Sequence, residues 1–154
     1  MTPARLVSEL AAQIKKACAQ VRLPLEAGES VEVEVFEQYL PEDLFENTAY
    51  LPFVLVEFLE LTDDLKDGST VQIGLTVGTY APEADAWRDG FHLAEVIRQE
   101  VLTRRVIAKR FRLKSARWQT PDTQPREFFY LAAELTYDVF QPLEVSVEEI
   151  GGAD

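Results

Sequence analysis

The sequence predicts an α+β fold: a mainly antiparallel sheet of about five strands with two helices packed on one face. Three observations predict it. Leu6–Val21 and Trp87–Leu102 carry apolar residues at helical spacing. Several other stretches, from Val31–Phe36 to Phe129–Val139, alternate apolar and polar residues with the period of two that a half-covered strand requires. The order helix, strand, loop, hairpin, helix, two strands groups the strands instead of alternating them with helices, which favours antiparallel pairing.

The chain has 154 residues, 47% of them hydrophobic, which suffices for one domain with a real core and is short for two. That domain is assigned to residues 1–142, with a long loop at about 37–52 and an acidic tail over 143–154 whose end is expected to be mobile. In the first helix Leu6, Val7, Leu10, Ala11, Ile14, Ala17, Cys18 and Val21 fall in one arc opposite Glu9, Gln13, Lys15, Lys16 and Gln20, and Pro24 stops it. Cys18 sits on the apolar side and reads as a small buried hydrophobe. Val31–Phe36 alternates strictly, with its glutamates as the wet face. From Glu37 to Pro52 no period holds, yet Tyr39, Leu40, Leu44, Phe45 and Tyr50 are too apolar for a linker. Either they pack back on the domain or they clasp a neighbouring subunit.

Phe53–Leu61 and Val71–Tyr80 read as two strands of a hairpin around Asp63–Gly68, with Val71, Ile73, Leu75 and Val77 on the apolar face. Gly74 and Gly78 have a strand's spacing and no Lys-Ser/Thr after them, so they read as positions of close backbone packing and not as a phosphate loop. Pro82 and Asp85 supply a helix start; Trp87, Gly90, Phe91, Leu93, Ala94, Ile97, Val101 and Leu102 then share a half-turn arc, with His92 on the wet side. Arg98 lies within that arc, either snorkelling along its stem or meeting a carboxylate buried at an interface. Arg105–Trp118 is read as extended, Phe111 and Leu113 opposite Arg110, Arg112 and Lys114. A turn through Pro121, Asp122 and Pro125 feeds the last strand, which Gln141-Pro142 ends.

Charge is distributed unevenly. Fifteen basic and 27 acidic side chains give a formal net charge of -12, which argues against phosphate binding over the whole surface. Val31–Asp67 holds eleven acids and one base, whereas Arg98–Arg126 holds nine bases and two acids. The polar side is therefore expected to carry opposite charges at its two ends. No apolar run reaches the roughly 18 residues of a membrane helix, and Met1–Glu9 lacks the layout of a secretory signal, so a cytoplasmic origin is expected.

Catalytic signatures are sparse. One histidine and one cysteine offer neither a nucleophile beside a base nor a converging metal set. Glu57 and Glu60 are expected on opposite faces of their strand. Glu134 and Asp138 share a face, but at about 3.4 Å per residue they stand roughly 13 Å apart, too far for a simple acid–base pair. The loop Asp63–Gly68 lacks an EF-hand's alternating ligands and its closing glutamate. No catalytic, cofactor-binding or metal-binding residue, no cofactor and no enzymatic activity is assigned.

The run Leu75–Tyr80, then Gly90–Arg98, Arg112–Trp118 and the strand Phe128–Phe140 resembles the small tail-terminator, or tail-completion, proteins of tailed bacteriophages, over roughly Phe53–Pro142. The resemblance implies a non-enzymatic virion protein, assembled in the host cytoplasm and resident in the tail neck. It implies a ring, usually of six copies, that caps the tail tube, stops its polymerisation and presents a surface to the head's neck proteins. DNA would pass through the lumen without specific binding, and no membrane is involved. Ring closure needs two different patches that meet between copies. Asp63, Asp64 and Asp67 on one side and Arg104, Arg105, Lys109, Arg110 and Arg112 on the other are the candidates, with Tyr39, Leu44 and Phe45 as apolar contacts. Two alternatives stay open: another head–tail connector or head-completion protein, and a host-side α+β module that binds an anion on the basic strand.

Overall fold

A computed structural model describes residues 2–24, 30–44, 52–80, 86–122 and 127–145. Phe45, Tyr50, Pro82, Asp85, Pro125 and the tail beyond Val145 lie outside the described residues. The first helix, α1 (Pro3–Cys18), begins with proline in its first turn, where a missing N–H costs nothing, and carries Lys15 and Lys16 at its negative end. It stops before Pro24; the Arg22 guanidinium donates to the Ala19 carbonyl at 2.7 Å, satisfying one of the helix-end acceptors. Leu6, Val7, Leu10, Ala11, Ile14 and Cys18 are buried along one stripe.

The predicted strand Val31–Phe36 is two pieces. β1 (Leu23–Pro24) pairs antiparallel with β2 (Ser30–Val31) in a small ladder of its own. β3 (Glu34–Glu37) instead joins the main sheet, running parallel to the start of β4 (Phe53–Asp64). The even alternation concealed this division because Val33 and Val35 pack against the core under the helices while Phe36 packs on the other side of the sheet. β3 is followed by Gln38, which takes a left-handed φ of 67° and caps β4 with its side chain: the Phe58 N–H donates to Gln38 Oε1 at 2.9 Å.

β4 and β5 (Gly68–Tyr80) form the predicted hairpin, longer than the alternation alone indicated. β5 pairs with β8 (Phe128–Val139), and β8 with β7 (Phe111–Gln119), which meets the short β6 (Val106–Ile107) through the turn 108–110. Among the described residues the sheet thus has six strands, in the order β3-β4-β5-β8-β7-β6. It is mixed, since β3 is parallel, although the other pairings are antiparallel.

α2 (Ala86–Thr103) packs on β5 and β8 and beside α1, which lies over β3 and β4. The larger core joins the stripes of both helices to Val54 and Val56 and to Val71, Ile73, Leu75, Val77, Leu131, Leu135 and Tyr137, the last seven on the face the alternation assigned to it. A smaller core on the reverse face collects Leu44, Phe53 and Leu55 with Phe36, Leu40, Tyr80, Phe128 and Tyr130 at its margin. Of the two readings of the loop after Glu37, its first part packs back on the domain.

Two glycines explain how closely these layers meet. A Cβ on Gly78 would strike the Phe53 ring, and one on Gly90 would strike the Phe129 ring beneath α2. Gly78 therefore makes room for a side chain from the adjacent strand, not for a second backbone.

Candidate functional site

The charged residues converge on one rim of the sheet. Register fixes this: Ser69 at the start of β5 lies beside Val139 at the end of β8, which lies beside Phe111 at the start of β7. The β4–β5 turn and the β6–β7 turn therefore project from the same end. The expectation of opposite charges at the two ends is corrected accordingly. Acids and bases are separated across the sheet, by strand order, and not along the strands.

The acidic turn is well built. Asp64 pairs with Gly68, whose φ of 96° is open to glycine at little cost, and Asp64 Oδ1 accepts the amides of Lys66 and Asp67, each at 2.8 Å. The Asp67 and Lys66 amides hold the Asp64 carboxyl below the usual carboxylate value. Asp63 accepts the Ser69 hydroxyl at 2.5 Å. Asp63, Asp64 and Asp67 are all exposed, with Leu65 at the tip 96% exposed. Gln141 ties the segment after β8 to this turn, donating to the Asp64 carbonyl at 2.8 Å.

The basic turn is strained. Ala108 and Lys109 both take positive φ (52° and 59°), and the Arg110 N–H donates to the Ile107 carbonyl at 3.1 Å, the geometry of a type I′ turn. A reading of the whole stretch as one extended segment missed it, because no glycine or asparagine marks the turn. Lys109, Arg110 and Arg112 line a hollow of about 280 Å³ with Val106, Asp138 and Phe140. Arg104 and Arg105 serve the end of α2: Arg104 pairs with Glu100 at 2.9 Å, and Arg105 Nε donates to the Leu102 carbonyl at 2.8 Å.

Among the predicted apolar contacts, Tyr39 is 79% exposed. Leu44 is 2% exposed and committed to the chain's own second core, so it presents no surface to a neighbour. Phe45 lies outside the described residues. Arg98 keeps its charge at the surface, as the snorkelling reading has it, and pairs at 3.2 Å with the half-exposed Glu95 of its own helix instead of a buried carboxylate. Glu57 and Glu60 are not on opposite faces: they sit opposite Gly74 and Gln72, because a bulge between Phe58 and Glu60 restores Glu60 to the side Glu57 occupies.

An aromatic surface escaped the helical arc. Trp87 and Phe91 were placed on the buried side of α2, yet they are 45% and 52% exposed. Gly90 rests on Phe129 and Thr79, next to the sheet's end, so the first turn of α2 overhangs it. Trp87 meets Phe91 edge-on at 6.3 Å, Phe91 meets Phe129 at 5.3 Å, and the Arg88 guanidinium stands 4.3 Å over the Trp87 ring. Their i, i+4 spacing was the available signal.

Among the described residues, no three His, Cys, Asp or Glu side chains converge in a way that would hold a metal ion, and no helix is long and apolar enough to cross a membrane. His92 is exposed and Cys18 buried. No family model matches the sequence, and no curated protein matches it significantly.

Proposed function

We propose that the chain is the subunit of a ring that caps the tail tube of a tailed bacteriophage, ends its polymerisation and joins the tail to the neck proteins of the head. The observation that carries this reading is the contiguity of the resembling segments. Leu75–Tyr80 belongs to β5, Phe128–Phe140 to β8 and Arg112–Trp118 to β7, three adjacent strands, while Gly90–Arg98 is the part of α2 laid across β5 and β8. Residues scattered between Leu75 and Phe140 thus form one unit, with Gly90 in the position where α2 needs it.

The common rim also suits a ring. In cyclic symmetry every copy points the same way along the axis, so surfaces that meet between neighbours stand at the same height. An acidic turn on β4–β5 and a basic turn on β6–β7, level with one another and on different lateral halves of the sheet, meet that condition. Exposed pairs would each contribute about 0–1 kcal/mol, so charge sets register and encounter rate while apolar contact supplies affinity. The acidic surplus suits a lumen that DNA crosses without adhering. This reading assigns no catalytic step and no cofactor.

Native mass spectrometry at micromolar concentration, with and without tube protein, tests it. Oligomers are expected, falling in Arg110→Glu or Asp64→Lys and partly recovering in the double swap; monomer alone, with no tube complex, overturns it. Particles lacking the gene should show overlong, headless tails. A tail-tube gene immediately downstream favours the terminator over another neck component.

The hollow at Lys109, Arg110 and Arg112 favours a second reading, an anion-binding module, though Asp138 in its wall works against an anion. Thermal stabilisation by phosphorylated metabolites or nucleotides, abolished by Arg112→Ala, would support it.

A further inference from the structure

Both sides of the main sheet end in strands that are only partly covered. β3 reaches no farther along β4 than Val56, and beyond the Gln38 cap the stretch Leu59–Asp64 is paired on one side only, by β5. β6 covers only Phe111 and Arg112 of β7, so beyond Leu113, whose N–H donates to the Arg105 carbonyl, Lys114–Gln119 is likewise paired on one side only, by β8. Among the described residues no further strand flanks either stretch. Such edges offer rows of backbone donors and acceptors to another strand.

The two edges are chemical opposites on matching faces. On the face away from the helices β4 presents Glu60 and Thr62, opposite Gln72 and Thr70, and β7 presents Arg112, Ser115 and Arg117, opposite Asp138, Thr136 and Glu134. Among the described residues Arg112 and Arg117 make no ion pair. On the helix side each edge adjoins an apolar hollow: Phe58 and Leu61 with Pro3, Ala4 and Val7 beside β4, and Trp118 with Phe91, Ala94 and Leu131 beside β7.

We propose that the free edge of β4 in one copy pairs with the free edge of β7 in the next, so that the sheet continues from subunit to subunit. The occupant is a second copy of this chain because each edge carries the charge that the other lacks. Like edges repel, which disfavours a two-fold dimer through either edge and selects head-to-tail association. The new ladder is antiparallel, since three successive antiparallel pairings separate β4 from β7 within one chain. With the copies level, Glu60 faces Ser115 with Arg112 and Arg117 as diagonal neighbours, and Leu61 faces Leu113. The bulges at Phe58/Glu60 and Leu113/Ser115 bend both edges at nearly the same height, beside the Glu60 and Ser115 positions. Closure of this contact into a ring rests on the function proposed above; the contact itself does not.

The test uses two full-length variants, Lys114→Glu/Arg117→Glu and Glu60→Lys/Thr62→Lys, with melting temperatures checked against the parent. Each alone is expected to lower the oligomer fraction roughly tenfold, and an equimolar mixture to restore it as alternating species in native mass spectra. In the unaltered protein, hydrogen exchange should slow on assembly in both 59–64 and 114–119. Oligomers that persist in both variants, or that assemble without slowing these amides, overturn the edge contact and leave the ring reading standing. A chain that stays monomeric at high micromolar concentration also overturns it, and the tube-bound assay then decides the ring. Slowing of 114–119 alone, in monomer or only with tube protein added, assigns that edge to the chain's own tail or to tube protein and overturns the proposal.

Discussion

At the scale of single residues, three buried groups give separable expectations. Gly90→Ala places a methyl group against the Phe129 ring where α2 meets the sheet, and should destabilise by about 1–3 kcal/mol in chemical denaturation without changing helix content. Tyr137 is 0% exposed and its hydroxyl has no hydrogen-bond partner among the described residues; burial raises its pKa above the usual tyrosine value. Tyr137→Phe removes a desolvated hydroxyl while keeping the ring, so it should be neutral or stabilise by about 1 kcal/mol. Burial, and then the Glu100 charge, push the Cys18 thiol up to about 11. The folded protein should therefore react with an aromatic disulfide reagent at least about a hundredfold more slowly than an unfolded control at pH 8.

At the scale of elements, the turns carry the expectations. The Asp64 carboxyl is held below its unfolded pKa by amide donors, so its contribution is present above about pH 4 and is lost as pH falls through the depressed value. Asp64→Asn should flatten that acid limb of the stability profile. Lys109 has a positive φ without being glycine, so Lys109→Gly should stabilise the β6–β7 hairpin, by about 0.5–1 kcal/mol in thermal melts. The same two turns show what sequence makes legible. Aspartates and a glycine announced the first, whereas the second uses alanine and lysine and left no mark. Alternation identified β5 and β8, each with one face under the helices, whereas β4 was legible as an apolar run whose first four residues are buried on both faces. Alternation failed at Val31–Phe36, where a break after Val31 hands the chain from one sheet to another, and at Glu57 and Glu60, where one inserted residue reverses the parity.

At the scale of the whole molecule, assembly through exposed opposite charges should weaken with salt. Screening shortens from about 10 Å at 0.1 M to about 3 Å at 1 M, so the oligomer fraction measured by sedimentation should fall over that range without vanishing, given the apolar hollows beside both edges. The separation of acids from bases was legible in composition; their common rim was not, because it depends on which strand lies between which. That strand is β8, and its place has a further consequence. It is the last of the described strands in the sequence yet lies between β5 and β7. A chain emerging from the ribosome must hold the part of α2's apolar stripe that β8 covers, and the inner edges of β5 and β7, open until residues 128–139 arrive, so synthesis, not local propensity, times the closing of the core. Nascent chains halted before Phe128 should remain protease-sensitive and chaperone-bound, while refolding of the full chain should be limited by this long-range insertion.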